Sequence, residues 1–281
     1  MQLCSRIVSQ LKKGQQNIEI FEPFIQAQEI FDVMSVIDKD FPEIFFMDIK
    51  REPVQISQIG FVKRVHIPFA YPMHQIRELQ SEIEKVLQDL SVRVYHANSL
   101  EEKEKILYDY LTSSVTYDYA VPTPIHYTIV GPLIYRKAIC EGFAKAFKFL
   151  CDYFDIPCLT VSGTSRNSAL GQIESHSWNI IHLDDGNYYH ADVTWDCSKK
   201  EYMYLNLSDS EMSATHSWNK AEVPICNHSR NRNDYPYFTS ASALNKYMEN
   251  VFRLKQKKFA FRVNHDFQTT EAVLDLLRRI A

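Results

Sequence analysis

Glycine is scarce in this chain, with 7 in 281 residues. No two glycines stand close enough for a phosphate-cradling loop, which argues against nucleotide-dependent chemistry. The six cysteines (Cys4, Cys140, Cys151, Cys158, Cys197, Cys226) contain no Cys-x-x-Cys spacing, so neither a zinc ribbon nor a thioredoxin-type motif is present. In a chain of this length they do not read as a disulfide framework, and reduced thiols are expected. No apolar run approaches the length of a membrane span, and Met1 to Gln16 has no apolar h-region. As written, the chain is expected to be cytoplasmic, although a chain starting after a removed leader would read the same. The net charge of −4 gives no reason to expect nucleic acid as a partner. From Ala241 onward, eight Lys or Arg face four Asp or Glu, which is read as a solvated helical face in preference to a binding patch.

What is present is ample core material: 45% hydrophobic residues, with Phe 17 and Tyr 16 to fill an interior. The pattern suggests an α/β region over 1–95, a central unit over 96–220 and an α/β extension over 221–281. Ile18 and Ile20 alternate as in a short strand, and Ile30, Phe31, Met34 and Ile37 keep helical spacing until Phe41-Pro42. Ile44 to Met47 reads as a strand, and Val54 to Phe69 as one or two more. Ile76 through Leu90 trace a long helix. Ser99 and Glu102 have capping-box spacing at the start of a helix running through Leu111. Val115 to Tyr119 is expected to be extended. An irregular crossing containing His126 and Tyr127 then leads to Cys140, and loops of that length usually line a site. A strand over Cys158 to Val161 is followed by a polar loop over 162–171. The remaining expectations are a hairpin from His176 to Trp195, a strand over Tyr202 to Leu207, and a C-terminal helix–strand–helix. His66, His74 and His96 are isolated and read as surface or packing residues.

Chemistry concentrates in three stretches. Cys140 opens an apolar helix bearing Phe143, Phe147, Leu150, Cys151 and Phe154 on one face. A free thiol ionises only near pH 8.5 and needs help to act as a nucleophile. A helix start supplies unpaired amides that favour a thiolate and could also hold an acyl-transfer oxyanion. No Ser, Thr, Asp or Asn immediately precedes Cys140 to cap those amides. Cys151 and Cys158, among apolar neighbours, read as core.

An imidazole and a carboxylate follow at His176 and Asp192. Asp184-Asp185-Gly186 suits a three-residue turn ending in a left-handed glycine. That turn pairs Leu183 with Asn187, sets Trp178 opposite Asp192, and puts His176 one diagonal step from Asp192 on the same face. A loop one residue shorter or longer would place the two on opposite faces. His190 falls on the same face and competes with His176 for the role of base. His182 shares that face near the turn, and His216 competes only through its local sequence, His-Ser-Trp, which repeats 176–178. Burial of Asp192 beside Val193-Thr194-Trp195 would demand a partner for its charge.

Cys140-Glu141-Gly142-Phe143-Ala144-Lys145-Ala146-Phe147, His176-Ser177-Trp178-Asn179 and Asp192-Val193-Thr194-Trp195-Asp196 together resemble the transglutaminase-like superfamily, most closely its bacterial members. The resemblance spans roughly residues 99 to 212. It implies an α+β fold of papain-like type, with a nucleophile helix packed on an antiparallel sheet. It also implies that Cys140 is the nucleophile, His176 the general base and acid, and Asp192 the residue that orients the imidazole. The Cys140 amide and a side chain from the 115–135 crossing are the expected oxyanion donors.

The expected activity is cysteine-dependent acyl transfer at a peptide or side-chain amide through a thioester, without cofactor or metal. Hydrolysis is favoured slightly over cross-linking, since nothing in the sequence marks an amine site. The substrate would be a protein or peptide. One alternative is a catalytically silent peptide-binding module on the same scaffold. Another is a metal site built from Cys and His, which lacks a ligand cluster at zinc spacing.

Overall fold

The structure is a computed structural model that describes residues 2–48, 54–58, 61–120, 122–167, 172–197, 202–230, 237–238, 241–253 and 262–263. The N-terminal part comprises α1 (Gln2–Lys12), β1 (Asn17–Glu19), α2 (Ala27–Asp40), β2 (Val54–Gln58), β3 (Phe61–His66) and α3 (Met73–Val94). Its strands form an antiparallel sheet in the order β1-β3-β2. One helix is added here, and one expectation changes. The first residues coil into α1, burying Leu3, Ile7, Val8 and Leu11. Ile44 to Met47 is not a strand: a 3-10 turn over Pro42–Ile44 leads into it, and only Met47 makes a bridge, to Phe69. Pro42 at the first turn position favours that turn, and Ile44, Phe45, Phe46 and Met47 are all buried by it.

Next come α4 (Leu100–Ser114), β4 (Thr116–Tyr117), β5 (Lys137–Ala138) and α5 (Cys140–Tyr153). The Ser99 side chain accepts from the Glu102 amide at 3.1 Å, while Glu102 reaches the Asn98 amide at 2.8 Å, so the two caps act on successive residues. The crossing is more regular than expected. It contains a 3-10 turn over Pro124–Tyr127, a π turn over Gly131–Tyr135 and a parallel pairing of β4 with β5.

The central sheet consists of β6 (Cys158–Asn167), β7 (Gln172–His182), β8 (Tyr188–Ala191), β9 (Leu205–Leu207) and β10 (His216–Trp218). It is antiparallel throughout, in the order β10-β6-β7-β8-β9. The polar stretch 162–167, expected as loop, is strand because β7 and β10 pair with it from both sides. The hairpin adopts the expected register: Leu183 and Asn187 are bonded, Ile180 opposes His190, and Gly186 is left-handed at φ 77. Beyond Ala191 the chain leaves the sheet for a short helix, α6 (Val193–Asp196), instead of continuing as a strand. Its cause is the Asp192 side chain, whose Oδ1 accepts from the Trp195 amide at 3.1 Å and caps the turn.

After α7 (Asp209–Met212) the described C-terminal elements are β11 (Tyr237–Phe238), α8 (Ala241–Arg253) and β12 (Arg262–Val263). The last expected helix, and most of the strand expected at Lys257 to Val263, lie outside the described residues. This is an α+β fold in which the apolar face of α5 packs against the antiparallel sheet and α4. One buried cluster runs from Leu3 to Leu205, and a second beyond the sheet holds Val161, Trp178, Ile180, Leu207, Met212 and Cys226.

Lys145 of α5 is buried and bonds Asp38 of α2 and Glu141 within its own helix, both at 2.7 Å. Asn179 of β7 donates to the Ala144 carbonyl at 3.0 Å, tying the helix to the sheet. Gly142 lets α5 approach the crossing, because a Cβ there would land on the His126 carbonyl oxygen. Gly142→Ala gains about 1 kcal/mol of helix propensity but forces backbone apart, at about 1–3 kcal/mol. A net loss of stability in chemical denaturation is expected, whereas an unchanged midpoint would contradict this close approach.

Candidate active site

Cys140 is the first residue of α5, and the preceding Ile139 provides no side-chain cap. It is partly buried, and its influence on the His176 pKa places it beside that ring. His176 Nε2 lies 2.7 Å from Asp192 Oδ2, which leaves Nδ1 for the sulfur. The residues flagged in three separate stretches therefore form one chain of contacts: thiol, imidazole, carboxylate.

Asp192 is fully buried, and two further donors meet it. One is the Trp195 amide already described. The other is His216, whose Nε2 approaches the same Oδ2 at 3.1 Å. Strand pairing delivers this second imidazole: His216 of β10 opposes Ser165 and His176 of β7 opposes Gly163, so the two His-Ser-Trp segments flank β6. Gly163 is required between them, since a Cβ would meet the Ser217 carbonyl oxygen and the Trp178 ring. Sequence spacing alone gave no route to this contact. The repeated tripeptide was the available signal.

The surrounding cage is aromatic. The His216 ring centroid lies 4.6 Å from Trp195, 5.0 Å from Trp178 and 5.6 Å from Tyr204. Trp178 also stacks on His176 at 6.0 Å. Beneath Asp192, the fully buried Tyr108 hydroxyl sits 2.8 Å from both the Asp192 carbonyl oxygen and the Asp196 carboxylate. Asp196 in turn accepts from the Met203 and Tyr204 amides at 3.0 and 2.8 Å.

Electrostatics separates the two imidazoles. Burial opposes charge on His176, but Asp192 and the Cys140 contact outweigh it and raise its pKa to about 10. Burial also dominates at His216, and there the Asp192 attraction does not overcome it, so its pKa falls below the ordinary value. Burial would raise Asp192, yet His176 and His216 together hold it well below the usual carboxylate range.

His190 does not join this group. Trp178 Nε1–H donates to its Nδ1 at 3.0 Å, and its Nε2 faces Asp209 at 2.8 Å. Burial lowers its pKa to about 4 against the pull of Asp209, so it is neutral and serves to hold Trp178. His182 stacks on Tyr188 near the turn.

Among the described residues two sets could offer metal ligands, His176–Asp192–His216 and His190–Asp209–Cys226, each with ligand atoms within 4.8 Å of one another. In the second, the indole donor on Nδ1 requires the proton on Nε2, facing Asp209, where a metal would have to bind. Burial and Asp209 also push the Cys226 thiol up to about 12, which disfavours the thiolate a metal needs.

From the crossing, Tyr117 is the side chain whose ionisation senses Cys140. Burial first, then the charges of Cys140 and Glu174, lift its phenol to about 12, so it stays a donor. His126 is buried beside it in sequence order, with Nε2 3.5 Å from Asp118 and its carbonyl accepting from the Ile139 amide at 3.4 Å.

Among the described residues no helix is long and apolar enough to cross a membrane. Compared with known proteins, residues 88–193 match the family model of the Transglutaminase-like superfamily. The chain is 25% identical over 126 residues to kyphoscoliosis peptidase of Homo sapiens, a match covering 41% of this chain and 18% of that protein. Thus the chain spans less than a fifth of that relative's length. Among solved structures, a TGase shares 11% identity at a TM-score of 0.38, covering 80% of this chain and 59% of its own. A candidate cysteine protease from Cytophaga hutchinsonii shares 11% at 0.35, covering 62% and 69%. Through residues 88–193, the central part of the chain is similar to the transglutaminase-like superfamily.

Proposed function

We propose that this protein is a cysteine-dependent acyl-transfer enzyme acting on a peptide or side-chain carboxamide. The observation that carries the reading is the His176 ring, set beside Cys140 and hydrogen-bonded at 2.7 Å to the buried Asp192 carboxylate. In this mechanism Cys140 attacks the amide carbonyl and the bond to nitrogen breaks. His176 delivers the proton to the departing amine or ammonia, leaving a thioester. Water, deprotonated by His176, then attacks the thioester and regenerates the thiol. Asp192 keeps the Nε2 proton of His176 in place, so that Nδ1 faces sulfur in both steps.

Oxyanion stabilisation falls to the uncapped start of α5 and to the Tyr117 hydroxyl. Both are neutral donors near the sulfur that need no reorganisation as charge develops. Hydrolysis is favoured slightly over amine transfer, since nothing in the sequence marks a dedicated amine site. The substrate is a protein or peptide. The part of the chain before residue 96 supports the site through the Asp38–Lys145 ion pair.

Iodoacetamide at about pH 6.5 is expected to label Cys140 ahead of the other five cysteines, as mapped by peptide mass spectrometry. His176 holds its proton until the pH nears 10, so this assistance extends through neutral pH and is lost above that value. His176→Ala is expected to slow the labelling by about tenfold or more. Equal labelling of all six cysteines would remove the nucleophile assignment.

With casein as probe substrate, the expected products are new amino termini or free ammonia, with little incorporation of dansylcadaverine, and none with Cys140→Ala. Dominant dansylcadaverine incorporation would make the enzyme a cross-linker instead. Tyr117→Phe should leave iodoacetamide labelling intact, since alkylation forms no oxyanion, while lowering casein turnover by about 10- to 100-fold. Equal loss in both assays would assign Tyr117 a structural role.

A further inference from the structure

We infer that His216 is a positioning residue, a second imidazole that pins the Asp192 carboxylate toward His176. The inference rests on the proposed role of His176 and Asp192 and adds a fourth side chain to it. Hydrogen-bond accounting supports the assignment. Asp192 Oδ2 is 2.7 Å from His176 Nε2 and 3.1 Å from His216 Nε2, and an ionised carboxylate only accepts, so both nitrogens carry protons. On the far side of His216, the Thr215 hydroxyl lies 2.8 Å from Nδ1. As donor to Nδ1 it fixes the Nε2–H tautomer, which needs no second proton on the ring.

The neighbourhood keeps His216 uncharged. It is 3% exposed, and the rings of Trp178, Trp195 and Tyr204 close around it. The titratable groups that face it or Asp192 are His176 on β7, Tyr108 on α4, Tyr204 before β9 and, farther off, His190 on β8. A charged His176 at 5.2 Å between ring centroids repels a second charge on His216. Asp192 thus receives one charged and one neutral imidazole donor on the same oxygen, while the Trp195 amide holds its other oxygen. A carboxylate bonded on both oxygens cannot turn about its Cβ–Cγ bond without breaking one of these contacts. The aim of His176 at Cys140 depends on that restraint.

If His216 acts through Asp192, its loss should be felt only while Asp192 is present to be held. The test is a double-mutant cycle read by iodoacetamide labelling of Cys140, with His216→Phe, Asp192→Asn and the pair together. His216→Phe fills the same cage without the donor, and labelling should slow by about tenfold, the equivalent of about one pKa unit. Asp192→Asn should slow it at least as much, and the double variant should match Asp192→Asn alone. His216→Gln, which restores an N–H donor, should recover a rate within about threefold of the native one. The 15N spectrum of labelled histidine should show one ring with an unprotonated Nδ1 and a protonated Nε2 at neutral pH, missing from the His216→Phe protein.

Native-rate labelling in His216→Phe, or losses that multiply in the double variant, would overturn the inference. Should His216→Phe fail to fold, Thr215→Val decides: slower labelling supports the role and an unchanged rate refutes it. If neither His176→Ala nor Asp192→Asn slows labelling, the triad reading fails first and takes this one with it. Slowing by those two with none from the His216 and Thr215 variants removes only His216.

Discussion

A carboxylate with no exposed surface cannot keep its charge unless its oxygens are met by donors. Asp192 is such a group, and the architecture around it reads as the means of meeting that demand. It stands where β8 ends, so the hairpin must be in register to bring His176 beside it. It must also leave the sheet at once, so that its own side chain can cap α6 through the Trp195 amide. Tyr108 secures the turn from α4, and β10 brings His216 from the other side of β6. Withdrawing any one of these donors leaves a buried charge short of a partner, which is far costlier than losing an exposed ion pair.

The same constraint divides labour among the histidines. Three buried imidazoles, His176, His190 and His216, lie on the central sheet, and their environments push them apart. His176 is charged because it faces Asp192 and the Cys140 sulfur. His190 is neutral because Trp178 donates to it and burial outweighs Asp209, and the His216 pKa is lowered chiefly by burial, which the attraction of Asp192 does not overcome. Residue type alone would have given all of them the same titration. The sulfur side is simpler: α5 presents Cys140 at an uncapped start, while Gly142 and Lys145 fix how that start sits against the crossing and α2.

Similarity to the transglutaminase-like superfamily covers the central part of the chain, residues 88–193. It does not by itself choose between water and an amine as acceptor, a choice made by the shape and charge of the surroundings. The N-terminal region packs into the same interior, since one buried cluster takes in residues from Leu3 to Leu205.

Local physics determined much of this from sequence. Asp-Asp-Gly dictates a three-residue turn because glycine alone takes the left-handed position cheaply, and that turn fixed the His176–Asp192 face before any coordinates. The apolar stripe behind Cys140 required a helix beginning there. Long-range pairing decided the rest. Ser162 to Asn167 is too polar to announce a strand and became one because two neighbours needed its backbone hydrogen bonds. Ile44 to Met47 is apolar enough for a strand and became a turn because Pro42 and the core favoured it. His216 stands 24 residues from Asp192 and 40 from His176, distances over which no spacing rule operates. Only the sheet, by setting β10 against β6, brought it to the carboxylate.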